Sequence, residues 1–202
     1  MIKLEGSTFR LLLFILPLLY GCSTPVTKLP VQSKYVAPVS PKPEILIPNA
    51  IQSELERFKP RHWKYIVIHH SASDAGNASS IGKYHREVNG WENGLGYHFL
   101  IGNGNGAGDG QIEVGNRWNS QIDGAHAGNG EYNKYGIGIC LVGNFEDRYP
   151  TDPQITSLVY LVNYLQKCCN ISKENIVMHC NVRQTVCPGN HFPYYKVLAN
   201  LR

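Results

Sequence analysis

The sequence predicts an α/β layered domain, carried behind an export-type leader and a proline-rich spacer. Three observations lead there. Apolar runs of strand length recur at Lys64–His69, Gly96–Gly102, Ile112–Val114, Gly136–Val142 and Ile176–His179. Helical patterns separate several of them, and strands alternating with helices bury their apolar faces best as packed layers. Glycine is frequent and clusters in the connections. A chain of 202 residues suits one domain with appendages rather than two full domains.

Each element has a local reason. Ile51–Phe58 reads as a short helix before the core. Lys64–His69 reads as a buried strand. Ser79–Asn89 reads as a helix, with Ser79 or Ser80 as its cap and Gly90 as its terminator. The glycines of GIGICLV (136–142) allow close backbone approach. Thr151–Cys169 is the clearest helix. Thr151 and Gln154 form a capping-box pattern, and Pro153 suits the first turn. Ile155, Leu158, Val159, Val162 and Leu165 make one apolar stripe. A last helix covers Pro193–Leu201. The glycine run GNGNGAGDG (102–110) lacks the Gly-Lys-Ser/Thr ending of a phosphate loop. It reads as a long flexible connection that shapes access to a substrate.

The N-terminus carries a targeting pattern. Lys3 and Arg10 precede an apolar run from Leu11 to Tyr20. That run is shorter than the roughly 20 residues a membrane-spanning helix needs and has the length of a signal-peptide core. It ends in Leu19-Tyr20-Gly21-Cys22, which resembles a bacterial lipobox. Residues 1–21 are therefore expected to be a lipoprotein signal peptide, with Cys22 the lipidated mature N-terminus. Ser23 rather than Asp follows, which favours the periplasm-facing outer membrane as destination. Residues 22–60 hold seven prolines, at 25, 30, 38, 41, 43, 48 and 60, and read as a semi-rigid spacer. The domain itself is expected over 61–202.

The formal net charge of +4 is spread without a basic stripe, which excludes a nucleic-acid reading. A monomer is expected. Of six cysteines, Cys140 falls in an apolar strand, and Cys168 and Cys169 end a helix. A disulfide from one of that pair to Cys180 is an open alternative.

The segment MHCNVRQTVCP (178–188) is the most informative of the chain. It puts His179 and Cys187 on one loop, while YIVIHHSAS delivers His69 and His70 from far away in sequence. Imidazole and thiolate are the usual zinc ligands, and three of them leave a fourth position open. Such a site acidifies water for nucleophilic attack. His69 and His70 point to opposite faces of a strand, and periodicity does not choose between them. A closed structural zinc site would need Cys180 or His70 as a fourth ligand. His85, His98 and His191 read as ordinary satisfied histidines.

IVIHHSAS, GLGYHFLIGNG, GAHAGN, GIGICLVGNF and MHCNVRQTVCPG occur in that order from Trp63 onward. Together they resemble the zinc-dependent N-acetylmuramoyl-L-alanine amidases of the peptidoglycan-recognition-protein type, which include small phage lysozymes. The resemblance implies a mixed central sheet flanked by helices, with a Zn2+ cofactor on His69, His179 and Cys187. It implies hydrolysis of the amide between N-acetylmuramic acid and L-alanine, with peptidoglycan or a muropeptide as partner. Tyr97 matches the family's catalytic tyrosine. Thr185 stands where phage enzymes carry lysine and many animal ones threonine, so it is a second candidate catalytic residue. Another branch uses Asp and Glu where this chain has Cys187 and Cys140. His126, Arg117 and Trp118 are expected to line a peptide groove, where Arg117 could pair with a carboxylate. The alternative function is binding peptidoglycan without cutting it, and relatives that do so typically lack the zinc cysteine.

Overall fold

The computed structural model describes residues 49–201, all within one unit spanning Pro43–Arg202. The leader, Cys22 and most of the spacer lie outside the described residues. A five-stranded sheet organises the domain, in the order β3-β2-β4-β1-β5. The strands are β1 (Tyr65–His70), β2 (Phe99–Ile101), β3 (Ile112–Val114), β4 (Gly136–Leu141) and β5 (Ile176–Met178). β1 pairs in parallel with β4 and β5, β2 pairs in parallel with β4, and β3 runs antiparallel to β2. The sheet is thus mixed, with helices packed on it.

The parity of the strands decides what each face holds. Ile66 and Ile68 of β1 lie on one face with Ile137, Ile139 and Leu141 of β4. Against them packs α5 (Asp152–Cys169) through Ile155, Leu158, Leu161, Val162 and Leu165. Each such side chain, fully buried, contributes about 1.5–3 kcal/mol. Trp63, Phe99 and Trp118 complete this layer. The opposite face carries a smaller cluster of Leu95, Leu100, Cys140 and Val142, with Ala78 and Ile81 of α2 (Ala78–Glu87) beside it. His69 belongs to this thinner face, opposite Cys140 in the β1–β4 register.

Several boundaries differ from expectation, each for a local reason. α2 is capped by Asn77, not Ser79 or Ser80. The Asn77 side chain accepts from the Ser80 amide, and the Ser80 hydroxyl answers the Asn77 amide. α5 starts at Asp152 with Thr151 as its cap and Gln154 closing the capping box. β2 is shorter than Gly96–Gly102, because the His98 ring replaces a backbone acceptor. Its Nδ1 takes the Gly138 amide at 3.0 Å. The first helix is α1 (Asn49–Glu56), and the last is α6 (Tyr194–Ala199). Two short helices were not legible, α3 (Asn116–Asn119) and α4 (Gly130–Tyr135).

The glycine-rich connection is tied down rather than loose. Gly76 donates to Asn105, Gly110 to Gly102, and Thr151 Oγ1 to Asp109. The alternative of a disulfide to Cys180 is also corrected: Cys140, Cys168, Cys169, Cys180 and Cys187 are all free thiols.

Candidate metal centre

The parallel strands β1 and β5 end side by side, and chemistry-bearing residues leave from both ends. His69 is the penultimate residue of β1. His179 follows β5 directly, at the start of a 3-10 turn over His179–Asn181. The loop after that turn returns Cys187, held where the Cys180 amide donates to its carbonyl at 2.9 Å. One ligand atom from each of His69, His179 and Cys187 lies within 4.8 Å of the others. Among the described residues no fourth donor joins this group.

Strand parity settles the choice between the paired histidines. His70 points to the other side of the sheet, where its Nδ1 accepts the Phe145 amide at 3.2 Å. It still serves the site through its backbone, because its N–H donates to Cys187 Sγ at 3.3 Å. Cys180 is exposed and stands apart from the cluster.

The protonation of the cluster can be read from its acceptors. A carbonyl oxygen only accepts, so the 3.2 Å contact from His126 Nε2 to the Gly136 oxygen places a proton on that nitrogen. With both rings neutral, His126 Nδ1 is then an acceptor, and His69 Nε2–H donates to it at 3.0 Å. The lone pair of His69 is left on Nδ1, which lies 3.8 Å from Cys187 Sγ. His179 repeats the arrangement: its Nε2 donates to the Ala127 oxygen at 3.1 Å, freeing Nδ1. Adjacent residues 126 and 127 thus orient both histidines. Their own amides are held by one oxygen, Oδ1 of Asn133, at 2.9 and 2.8 Å.

Burial keeps these rings neutral, since a charged imidazole is costly away from water. Desolvation, then the neighbouring His126 and His179, hold the His69 pKa well below its ordinary value. Burial takes His126 down to about 3. Burial also pushes the Cys187 thiol up to about 12, against the pull of the His70 amide. Two neutral imidazoles presenting lone pairs beside a thiol fit a thiophilic divalent cation such as zinc, with proton release on binding.

The other candidates sit differently. Tyr97 lies in a bend before β2, its ring centroid 5.1 Å from that of His69. Burial raises its pKa well above the ordinary value, with the Cys140 and Cys187 thiols adding to the effect. Thr185 Oγ1 accepts the Cys187 amide at 3.3 Å, and so braces the ligand loop. Arg117 donates through Nε to the Leu95 oxygen at 2.7 Å and through Nη1 to the Asp123 oxygen. It edges an open depression with Arg61, Asn93 and Asp123. Trp118 does not line a groove: it is 0 % exposed and packs on Phe99 in the core. His126 is likewise corrected, from a groove residue to a buried support behind His69.

That support explains two glycines. A Cβ on Gly138 would meet the His126 ring at 2.5 Å, and one on Gly124 at 2.3 Å. The slot exists only because neither residue has a side chain. Sequence reasoning missed Asn133, Gly124 and Gly138 as parts of the site. The signal was present in GAHAGN and GIG, but nothing there says which ring fills which gap.

Known proteins resemble this chain in sequence and in fold. The chain is 35% identical to peptidoglycan-recognition protein SC1a of Drosophila melanogaster over 136 residues, covering 63% of this chain and 68% of that protein. The solved N-acetylmuramoyl-L-alanine amidase LysC from Clostridium intestinale URNW superposes with a TM-score of 0.60 at 35% identity, over 70% of this chain and 87% of that one. A mutant of Drosophila PGRP-LB, solved in complex with tracheal cytotoxin, superposes with a TM-score of 0.52 at 25% identity, over 71% and 89% of the two chains. The model of one family, described as N-acetylmuramoyl-L-alanine amidase (Amidase_2), matches residues 59–190, well over half of the chain, and it is to this family that the chain belongs.

Proposed function

We propose that this chain is a zinc-dependent N-acetylmuramoyl-L-alanine amidase, cleaving the amide between N-acetylmuramic acid and L-alanine in peptidoglycan or muropeptides. The observation that carries the reading is the cluster of His69, His179 and Cys187, three donors without a fourth among the described residues. Zinc held there would supply Lewis acidity and would acidify a water molecule to a pKa of about 7. The rest is the work of the chain. Gly136 and Ala127 fix the proton positions that leave both Nδ1 atoms free. The His70 amide supports negative charge on Cys187 Sγ. Tyr97 keeps its hydroxyl proton and can donate it to charge developing on the substrate carbonyl. An aligned donor of that kind lowers the barrier by about 2.7–4 kcal/mol.

The same reading places the domain on the periplasmic face of the outer membrane. Its support is the lipobox-like Leu19-Tyr20-Gly21-Cys22, the following Ser23 and the proline-rich spacer. A wall substrate and a wall-facing anchor agree, though they come from separate parts of the chain.

The test is zinc content together with mass analysis of products from defined muropeptides. Hydrolysis should release a stem peptide with a free alanine amino group, and chelation should stop it. Tight muropeptide binding without cleavage by the zinc-loaded protein would replace this reading with a recognition function.

A further inference from the structure

A second pair of sulfurs lies outside the metal centre. Cys168 and Cys169 end α5, and their Sγ atoms are 3.3 Å apart. Cys168 is exposed and Cys169 half-buried. α5 runs from Thr151, beside the ends of β2 and β4 where Gln154 Nε2 donates to the Ile101 and Val142 oxygens, back toward the starts of the parallel strands. The sulfur pair therefore sits at the opposite edge of the sheet from His69 and His179.

The helix keeps these thiols from oxidising to each other. Adjacent Cα atoms across a trans peptide are about 3.8 Å apart, whereas a disulfide usually needs about 4.4 Å or more. Closing that gap would mean unwinding the last turn. That turn is fastened: the Asn170 amide donates to the Gln166 oxygen, and the Ile171 amide donates to the same oxygen at 3.1 Å. Gln166 Nε2 in turn donates to the Ile171 oxygen at 3.2 Å. The pair is a preset dithiol.

Its bite selects the ligand. Tetrahedral zinc, with sulfurs about 2.3 Å away, would hold two of them about 3.8 Å apart and would need further ligands. No third donor stands with this pair among the described residues. A pyramidal trivalent centre has sulfur–centre–sulfur angles near a right angle, accepts a shorter bite and needs only two protein sulfurs. We propose that Cys168 and Cys169 form a chelating site for a soft trivalent centre of the organoarsenical class. Two S–H and two As–OH groups condense to two S–As bonds and two waters, with no change of oxidation state. The contact with the Cys169 thiol holds the Cys168 pKa below the ordinary thiol value, which favours the first attack from the exposed sulfur.

The experiment uses the full chain, zinc-supplemented, with phenylarsine oxide as probe. One equivalent should bind, with the mass gain of a condensed phenylarsenic group, and a dithiol should release it where a monothiol does not. Cys168→Ser and Cys169→Ser should each weaken binding about a hundredfold, because a single arm loses the intramolecular second bond. Cys180→Ser should leave binding unchanged. Tryptophan fluorescence and zinc content report that the serine variants remain folded. Equal binding by Cys168→Ser, no uptake by the folded wild type, or recovery of the pair as a mutual disulfide would each overturn the proposal.

Discussion

His69 Nε2 lies 3.0 Å from His126 Nδ1, and that contact fixes which nitrogen of His69 is free for a metal. A support of this kind sets the tautomer and ring orientation of a ligand, and its loss typically costs 10–100-fold in metal affinity or activity. His126→Gln should fall in that range while the protein stays folded. The measurement is zinc affinity by competition with a chelator, with amidase rate alongside. Wild-type values for both would show that His126 merely fills space. Gly138→Ala should produce a similar loss, by pushing the His126 ring out of its slot.

Cys187→Ala should abolish hydrolysis and most zinc binding, and leave much of the fold. The loop it anchors keeps the contact from the Cys180 amide to the residue 187 carbonyl, because that is backbone. Zinc per chain and product release from muropeptides are the readouts. Full activity in the variant would refute the ligand assignment.

Tyr97→Phe should lower turnover far more than zinc affinity. The ring contact with His69 survives the change, so any loss reports the hydroxyl. A turnover change within about twofold, worth less than about 0.5 kcal/mol of barrier, would make Tyr97 a packing residue.

The metal-free protein should lose stability as pH falls from about 6.5. His69, His98 and His126 have folded pKa values lowered by burial, that of His126 to about 3. In the unfolded chain these groups bind protons near pH 6.5, whereas in the folded chain they do not, so acid favours unfolding. Each imidazole that stays neutral between pH 6.5 and 5 costs about 2 kcal/mol of stability at the lower pH. Urea midpoints at pH 7.5 and 5.0 in chelator check this, and equal midpoints would mean the folded state protonates its histidines.

Cys22→Ser should release the protein from the membrane, or leave it as uncleaved precursor, without changing catalysis by the domain. Fatty-acid labelling and fractionation test it. Wild-type protein that takes up no label and appears freely in the periplasm would refute the lipid anchor and leave the amidase proposal standing, since that rests on residues beyond Trp63.

The layered α/β fold, the capping box of α5, and the placing of His179 and Cys187 on one loop with His69 or His70 as a distant partner are legible in the sequence. Those are local facts: apolar period, cap chemistry, and donor types at a loop spacing. Tertiary structure decided between His69 and His70, because only the β1–β4 register shows which face carries the thin cluster with Cys140. It also turned His126 and Trp118 inward. A side chain's surroundings depend on which distant glycine leaves a gap for it, and Gly138 lies on another strand from the loop that supplies His126. Proton placement on His69 followed from Gly136 through His126, a chain of contacts between residues that no local pattern connects.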